Sequence, residues 1–458
     1  MSDHAHPQVF DIAIIGGGAG GVLTALHALR LARAGARIVM VEPSPQLADG
    51  VAYATRHAEH LLNVPARRMS AFNDRPDDFV DFLVAGDDSA REAIGISYAQ
   101  RRHYGDYLRE RLQRARNDSA AHFEVMQDRV SAIEEQAATW QLALESGATL
   151  QARGIVLAVG NNARPLPARG AASLPAQSVL EAWDFDNIKR IPAEAEICIA
   201  GSGLSMVDTV LSLAANGHRG RIHVLSRHAL LPLPHAAHCV ATVDMALLQP
   251  LSLRARMRFL RRAAEEAHAQ GLPWQAVMEA VRPAVQTLWS TMCLRDQKRF
   301  LRHVVRYWDV HRHRIDMQVH ARLQQLQASG QLQLHRARLD TVAREGKRLR
   351  LTGLTRDRRA LQLDVDRIVN ATGVEMRAQL MRNPVLADLL GQGLARPGPH
   401  GIGIDTTPEG QLVDADGEVQ PGFIVIGSLR IGRLWESIAV PELRGQAEQA
   451  ARQLLAHL

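Results

Sequence analysis

The first forty residues switch between two hydrophobic periods. Ile12–Ile15 is a continuous apolar run, the mark of a strand buried on both faces, and it stops at a glycine cluster. Apolar residues then recur at helical spacing, at Val22, Leu23, Leu26, Leu29 and Leu31, before a second apolar run, Ile38–Val41, closes on Glu42. The pattern predicts strand, tight turn, helix and strand, with G-x-G-x-x-G in the turn at Gly16, Gly18 and Gly21. In such a turn Gly16 allows the sharp bend, Gly18 lets backbone amides approach a pyrophosphate, and Gly21 lets helix and strand pack closely. The helix N-terminus favours negative charge, and Glu42 stands where a carboxylate accepts hydrogen bonds from an adenosine ribose. A lone glycine motif is weak evidence, but here the strands, helix and terminal acid all accompany it.

The pattern restarts near Ile191. EICIAGSGLSMVDTVLSLAANGHRGRIHVLSR is again strand, G-x-G turn, helix and strand, with Gly201 and Gly203 in the places of Gly16 and Gly18. Met206 stands where the third glycine would be, which loosens the close-packing argument. The spacing is nevertheless conserved within the chain, since 42 − 16 and 227 − 201 are both 26. The residue equivalent to Glu42 is therefore Arg227, beside Ser226. A carboxylate would repel a 2′-phosphate, whereas a guanidinium with a neighbouring hydroxyl binds one, so NADPH is expected over NADH. The competing reading makes Arg227 a solvated strand-end residue.

Between and after these turns the periodicity is less regular. GVAYATRHAEHLLNVPARRMSAFNDRP lacks a clear period; Tyr53, His60, Asn63 and Met69 are candidate neighbours of a flavin ring, or members of an ordered loop. A helix is expected around 98–115 and strands near 123–125, 140–144 and 155–159, the last running into Gly160, where the backbone can approach a ligand. Residues 247–328 read as helical and exceed what a minimal nucleotide domain needs. There Arg312 and Arg314 either hold a substrate or cofactor anion or pair with Asp309, Asp296 or Asp316. His311 and His313 are two apart and do not share a helix face, which argues against a metal pair. Short strands resume at 332–334 and 349–351. DVDRIVNATG, ending at Gly373, reads as the return to the first domain, completed by a strand, a break at Gly427 and a helix from Val440, whose amides could face a flavin.

The expected architecture is α/β. An FAD-binding Rossmann-like domain spans 1–190 and 364–458, interrupted by an NAD(P)-binding Rossmann domain over 191–246 and 329–363. That domain is in turn interrupted by a helical insertion over 247–328. Composition adds little to this. With 458 residues and 46% apolar content the chain can build more than one core. No apolar run reaches the roughly 18–20 residues of a membrane span, and the polar first nine residues do not resemble a signal peptide, so a cytoplasmic protein is expected. Cys198, Cys239 and Cys293 form neither a disulfide framework nor a zinc or C-x-x-C pattern. The net charge of +6 raises nucleic acid as a partner, but no nucleic-acid-binding module is present. The basic residues between Arg254 and Arg359 read instead as solvated helix faces or as a site for an anionic substrate or cofactor.

IIGGGAGG (14–21), GVAYATRHAEHLLNVPARRMS (50–70), GSGLSMVD (201–208), RYWDVHRHR (306–314), NATG (370–373) and LWESIAVPELR (434–444) together resemble the bacterial FAD/NAD(P)-binding oxidoreductases, two-dinucleotide flavoproteins related to class B flavin monooxygenases. The resemblance implies resident FAD, NADPH as hydride donor, and a small-molecule substrate. The chain lacks the C-x-x-x-x-C pair of the related disulfide reductases, and Gly427-Ser428 replaces their Gly-Asp. These departures favour a monooxygenase that uses molecular oxygen on a small amine or carboxylate-bearing substrate. The alternatives are an NADPH reductase serving a quinone or protein partner, and a flavin scaffold or RNA-modification partner.

Overall fold

The computed structural model describes residues 9–237 and 239–456. The chain divides into two compact units, one of residues 1–56, 64–162 and 375–458, the other of residues 57–63 and 163–374.

The first unit begins with β1 (Val9–Ile15), α1 (Ala19–Leu31) and β2 (Arg37–Val41), the βαβ element expected from the apolar runs. It continues through α2 (Arg101–Asp118), β3 (His122–Met126), β4 (Val130–Glu135), β5 (Trp140–Leu144) and β6 (Thr149–Leu157). β1 lies between β2 and β6, parallel to both, and its side chains are buried on both faces: Ile12, Ala13 and Ile14 are fully buried.

The second unit contains β7 (Val179–Glu181), β8 (Ile197–Ala200), α3 (Leu204–Ala215) and β9 (Ile222–Ser226). Helices follow, among them α4 (Leu253–Ala269), α5 (Val305–Arg312) and α6 (Met317–Ala328). Then come β10 (Leu332–Glu345), β11 (Arg348–Thr355), β12 (Ala360–Val365) and β13 (Arg367–Asn370). The strand order is β12-β11-β10-β9-β8-β13-β7. β8, β9, β13 and β7 are parallel with the start of β10, while β11 and β12 extend the sheet as an antiparallel edge. The chain then returns to the first unit with β14 (Gln411–Val413), β15 (Val419–Val425) and α7 (Val440–Ala456), and the first sheet runs β14-β15-β6-β1-β2-β3.

Two boundaries differ from the sequence expectation. Arg367–Asn370 does not return to the first domain but fills the slot between β8 and β7 of the second sheet. Ile368 and Val369 are both fully buried, as successive residues are in the interior of a parallel sheet covered on both faces. The crossing points accordingly fall at 162/163 and 374/375, not at 190/191 and 363/364. Residues 57–63 also belong to the second unit, because the buried His60 ring lies 2.8 Å by Nε2 from Ser212 Oγ on α3 and packs on Phe185 with centroids 4.6 Å apart. His60, read as a flavin neighbour, is thereby committed to that helix, and Asn63, read with it, is exposed on the same short segment.

Candidate functional site

In the first unit the glycines divide by what a side chain would meet. A Cβ on Gly21 would lie 1.9 Å from Gly16 O, and one on Gly16 2.5 Å from Ala158 O, so both glycines serve close packing. At Gly18 the nearest atom would be Gly50 Cα at 4.0 Å, and at Gly160 nothing lies within 4 Å. Open space therefore lies over the amides that begin α1. Glu42 is held by its own turn: its carboxylate accepts from Gly17 N at 2.6 Å and Ser44 N at 2.8 Å. Each oxygen keeps lone-pair capacity for a ribose hydroxyl, so the carboxylate is pre-oriented rather than occupied.

At the other end of the unit, Gly427 donates to Gln446 Oε1 at 2.9 Å, Ser437 Oγ donates to Gly427 O at 2.7 Å, and Ser428 Oγ donates to Gly160 O at 2.9 Å. These bonds tie the break after β15 to α7 and to the end of β6, and α7 begins at Val440 as its proline pattern suggested. Tyr53 packs on Tyr104 with centroids 4.8 Å apart, and desolvation pushes its hydroxyl up to about 12, so it stays a neutral donor. Met69 is 2% exposed. The residues present fit an adenine dinucleotide flavin: amides under open space, an oriented carboxylate, and a helix start at Val440.

The second unit repeats the device. A Cβ on Gly201 would lie 2.1 Å from Ala371 O, while at Gly203 and Gly373 nothing lies within 4 Å. A cavity of about 630 Å³ opens there, lined by Gly201–Ser205 at the start of α3, by Thr372 and Gly373, and by Ser226 and Arg227 at the end of β9. Gly373 thus lines the cavity of the second unit, because β13 belongs to this sheet. Ser226 Oγ is an acceptor in the turn that follows β9. Ser202 Oγ lies 2.9 Å from Ser226 Oγ and 2.7 Å from the Leu230 carbonyl. Ser202 is the donor to both, and Ser226 Oγ also accepts from Ala229 N at 3.0 Å. The hydroxyl holds the turn.

Arg227 is exposed, and among the described residues it forms no ion pair. Arg164, Arg306 and Arg338 line the same cavity. Partial desolvation, and after it the charges of Arg306, Arg164 and Arg338, hold the Arg227 guanidinium below its ordinary pKa. Among the described residues only Arg306 of these four is ion-paired, with Asp309 at 3.0 Å. Sequence reasoning missed Arg164, Arg306 and Arg338. For Arg306 and Arg338 the signal was the basic excess between 254 and 359, which does not reach Arg164, and it took the folded chain, with β10 paired beside β9, to bring all three to one cavity.

Arg312 and Arg314 are not among the residues lining this cavity. Arg314 is 4% exposed and is ion-paired with Glu279, with the Trp274 ring 5.9 Å away. The acid partner is thus on an earlier helix and not one of the aspartates nearby in sequence. Arg312 is likewise buried, at the C-terminus of α5. Breaking a buried ion pair leaves one charge uncompensated, typically costing about 3–5 kcal/mol. Arg314→Met should therefore lower unfolding free energy by about that amount in denaturant titration and leave substrate KM unchanged in the folded fraction. A raised KM at unchanged stability would return Arg314 to a substrate role.

Residues 13–162 match the model of a family described as FAD-NAD(P)-binding. No curated protein sequence matches the chain. Among solved structures, ornithine N-hydroxylase from Kutzneria sp. 744 is 16% identical, with 98% of this chain and 100% of that chain covered and a TM-score of 0.68. Ornithine hydroxylase from Pseudomonas aeruginosa, in its reduced form, is 15% identical over 98% and 100% of the two chains, with a TM-score of 0.69. Bacillithiol disulfide reductase from Staphylococcus aureus is 13% identical over 98% and 99%, with a TM-score of 0.60. The chain has the two-dinucleotide-domain fold that these enzymes share. Among the described residues no helix is long and apolar enough to cross a membrane.

Proposed function

We propose that the protein is an FAD-dependent, NADPH-oxidising monooxygenase acting on a small amine or carboxylate-bearing substrate. The observation that carries the reading is the pairing of two glycine turns with open space at Gly18 and Gly203, the second of which is ringed by arginines. A phosphorylated nicotinamide nucleotide suits the arginine-lined cavity, and the flavin suits the turn that ends in Glu42. When bound, FAD supplies hydride acceptance and oxygen activation. The chain's own residues bind and orient: Gly18 and Gly203 admit pyrophosphates, Glu42 holds a ribose, and Arg227 meets a 2′-phosphate. The proposed domain roles follow, with FAD in the first unit and NADPH in the second.

A dithiol relay is disfavoured on chemical grounds. Cys198 is fully buried and desolvation pushes its thiol up to about 12, while Cys239 and Cys293 stand apart from it in the sequence. The substrate class rests on the hydroxylases that share the fold. The reaction would consume one NADPH, one proton and one dioxygen per oxygenated product, the second oxygen atom leaving as water. The test is incubation with ¹⁸O₂, NADPH and candidate diamines or basic amino acids, followed by mass spectrometry. Label in the product supports the reading, and NADPH oxidation that yields only hydrogen peroxide or a reduced quinone overturns it in favour of a reductase.

A further inference from the structure

The end of β9 borders more than one cavity. A second one, of about 400 Å³, shares Arg227, His228 and Arg338 with the first. Its remaining walls include Tyr307 on α5, Arg336 on β10, Leu354 on β11 and Arg356 just beyond it. Register explains the convergence: β10 runs parallel to β9 with Arg336 opposite Ser226, so Arg338 extends past the strand end where Arg227 leaves it. The β11 hairpin then folds Arg356 back to the same rim.

Arg227, Arg336, Arg338 and Arg356 thus border one small cavity, and among the described residues none of the four forms an ion pair. Their mutual repulsion registers on His228, whose imidazole is held below its ordinary pKa by burial and then by Arg227, Arg336, Arg306 and Arg356. Like charges gathered without a counter-charge are unfavourable until a ligand supplies one. A phosphate monoester, with about −1.5 to −2 charges and three acceptor oxygens, answers to two or three guanidiniums. The pyrophosphate does not need these residues, because the amides at the start of α3 in the first cavity suit it. Tyr307, 47% exposed, and Leu354, 50% exposed, place apolar surface beside the charges, as an adenine would require.

We propose that this second cavity is a phosphate-monoester subsite whose occupant is the adenosine 2′-phosphate, so that Arg336, Arg338 and Arg356 set the nucleotide preference together with Arg227. The proposal rests on the NADPH reading. It makes discrimination a property of three chain segments and not of the single strand-end residue.

The experiment is calorimetric titration of the FAD-loaded protein with adenosine 2′,5′-bisphosphate and with 5′-AMP, which differ only in the 2′-phosphate. Wild type should prefer the bisphosphate by about tenfold to a hundredfold or more, the value of one or more charge-assisted bonds. Arg338→Gln and Arg356→Gln should each remove about tenfold of that preference, leave 5′-AMP affinity and FAD content unchanged, and be partly rescued by Lys. Unchanged bisphosphate affinity in both variants overturns the subsite while leaving the NADPH reading intact. A wild type indifferent to the 2′-phosphate overturns the NADPH reading itself. A third arm titrates inorganic phosphate into protein saturated with NADPH. No binding is expected, and binding that Arg356→Gln abolishes would show that a separate anion occupies the cavity.

Discussion

Alanine in place of Gly18 should give a folded protein purified with little or no FAD. Gly18 has φ −67° and ψ −173°, an extended conformation that alanine adopts without strain. Its new Cβ would meet nothing of the protein nearer than 4.0 Å, so the turn itself loses no packing. What the methyl group occupies is the space over the α1 amides through which a pyrophosphate must approach. Loss of one charge-assisted hydrogen bond there is worth roughly 1.5–3 kcal/mol, or about tenfold to a hundredfold in affinity, and displacement of the pyrophosphate forfeits more than one. The measurement is the ratio of flavin absorbance to protein absorbance, with a thermal melt on the same sample. Gly21→Ala is the contrasting control: its Cβ would sit 1.9 Å from Gly16 O, so that variant should lose fold and flavin together. Full flavin occupancy in Gly18→Ala would place the FAD elsewhere.

Arg227→Glu should reverse the nucleotide preference. The side chain is exposed, makes no ion pair among the described residues, and shares its cavity with Arg164, Arg306 and Arg338. A carboxylate there finds three guanidiniums, so the fold tolerates it and the local repulsion among arginines is relieved. A 2′-phosphate meets repulsion in place of a charge-assisted bond. Anaerobic flavin reduction by NADPH should fall by about tenfold to a hundredfold, while reduction by NADH holds or improves, because a free 2′-hydroxyl can donate to the new carboxylate. Equal losses with both nucleotides would make Arg227 structural, and a wild type that prefers NADH would refute the spacing argument.

Both predictions trace back to glycine spacing, and the structure shows why that signal was legible. A βαβ turn is local: Ile12–Ile15, Gly16, Gly18, Gly21 and Ile38–Val41 lie within thirty-odd residues, and hydrophobic period and sterics specify them almost alone. The internal repeat was legible for the same reason, and Arg227 is found at the cavity that the count from Gly201 implies. Ser226 shows the limit of reading by proximity. It is adjacent to Arg227 in sequence, yet its oxygen accepts from Ser202 and Ala229, partners that only the folded turn supplies.

Where a decision depended on distant segments, the sequence could not make it. DVDRIVNATG is a strand on any reading, but which sheet it joins depends on the vacancy between β7 and β8, separated from it by well over a hundred residues. Arg314 looked like an anion ligand beside aspartates, and burial gave it Glu279, 35 residues away. The arginines of the second cavity come from β9, β10 and the β11 edge, whose register is fixed by sheet pairing. By itself the sequence determined the two nucleotide turns and the order of their elements, because backbone sterics and hydrophobic period act over a few residues. The tertiary structure alone decided which charges meet, because burial, pairing and desolvation belong to the packed chain and have no local signature.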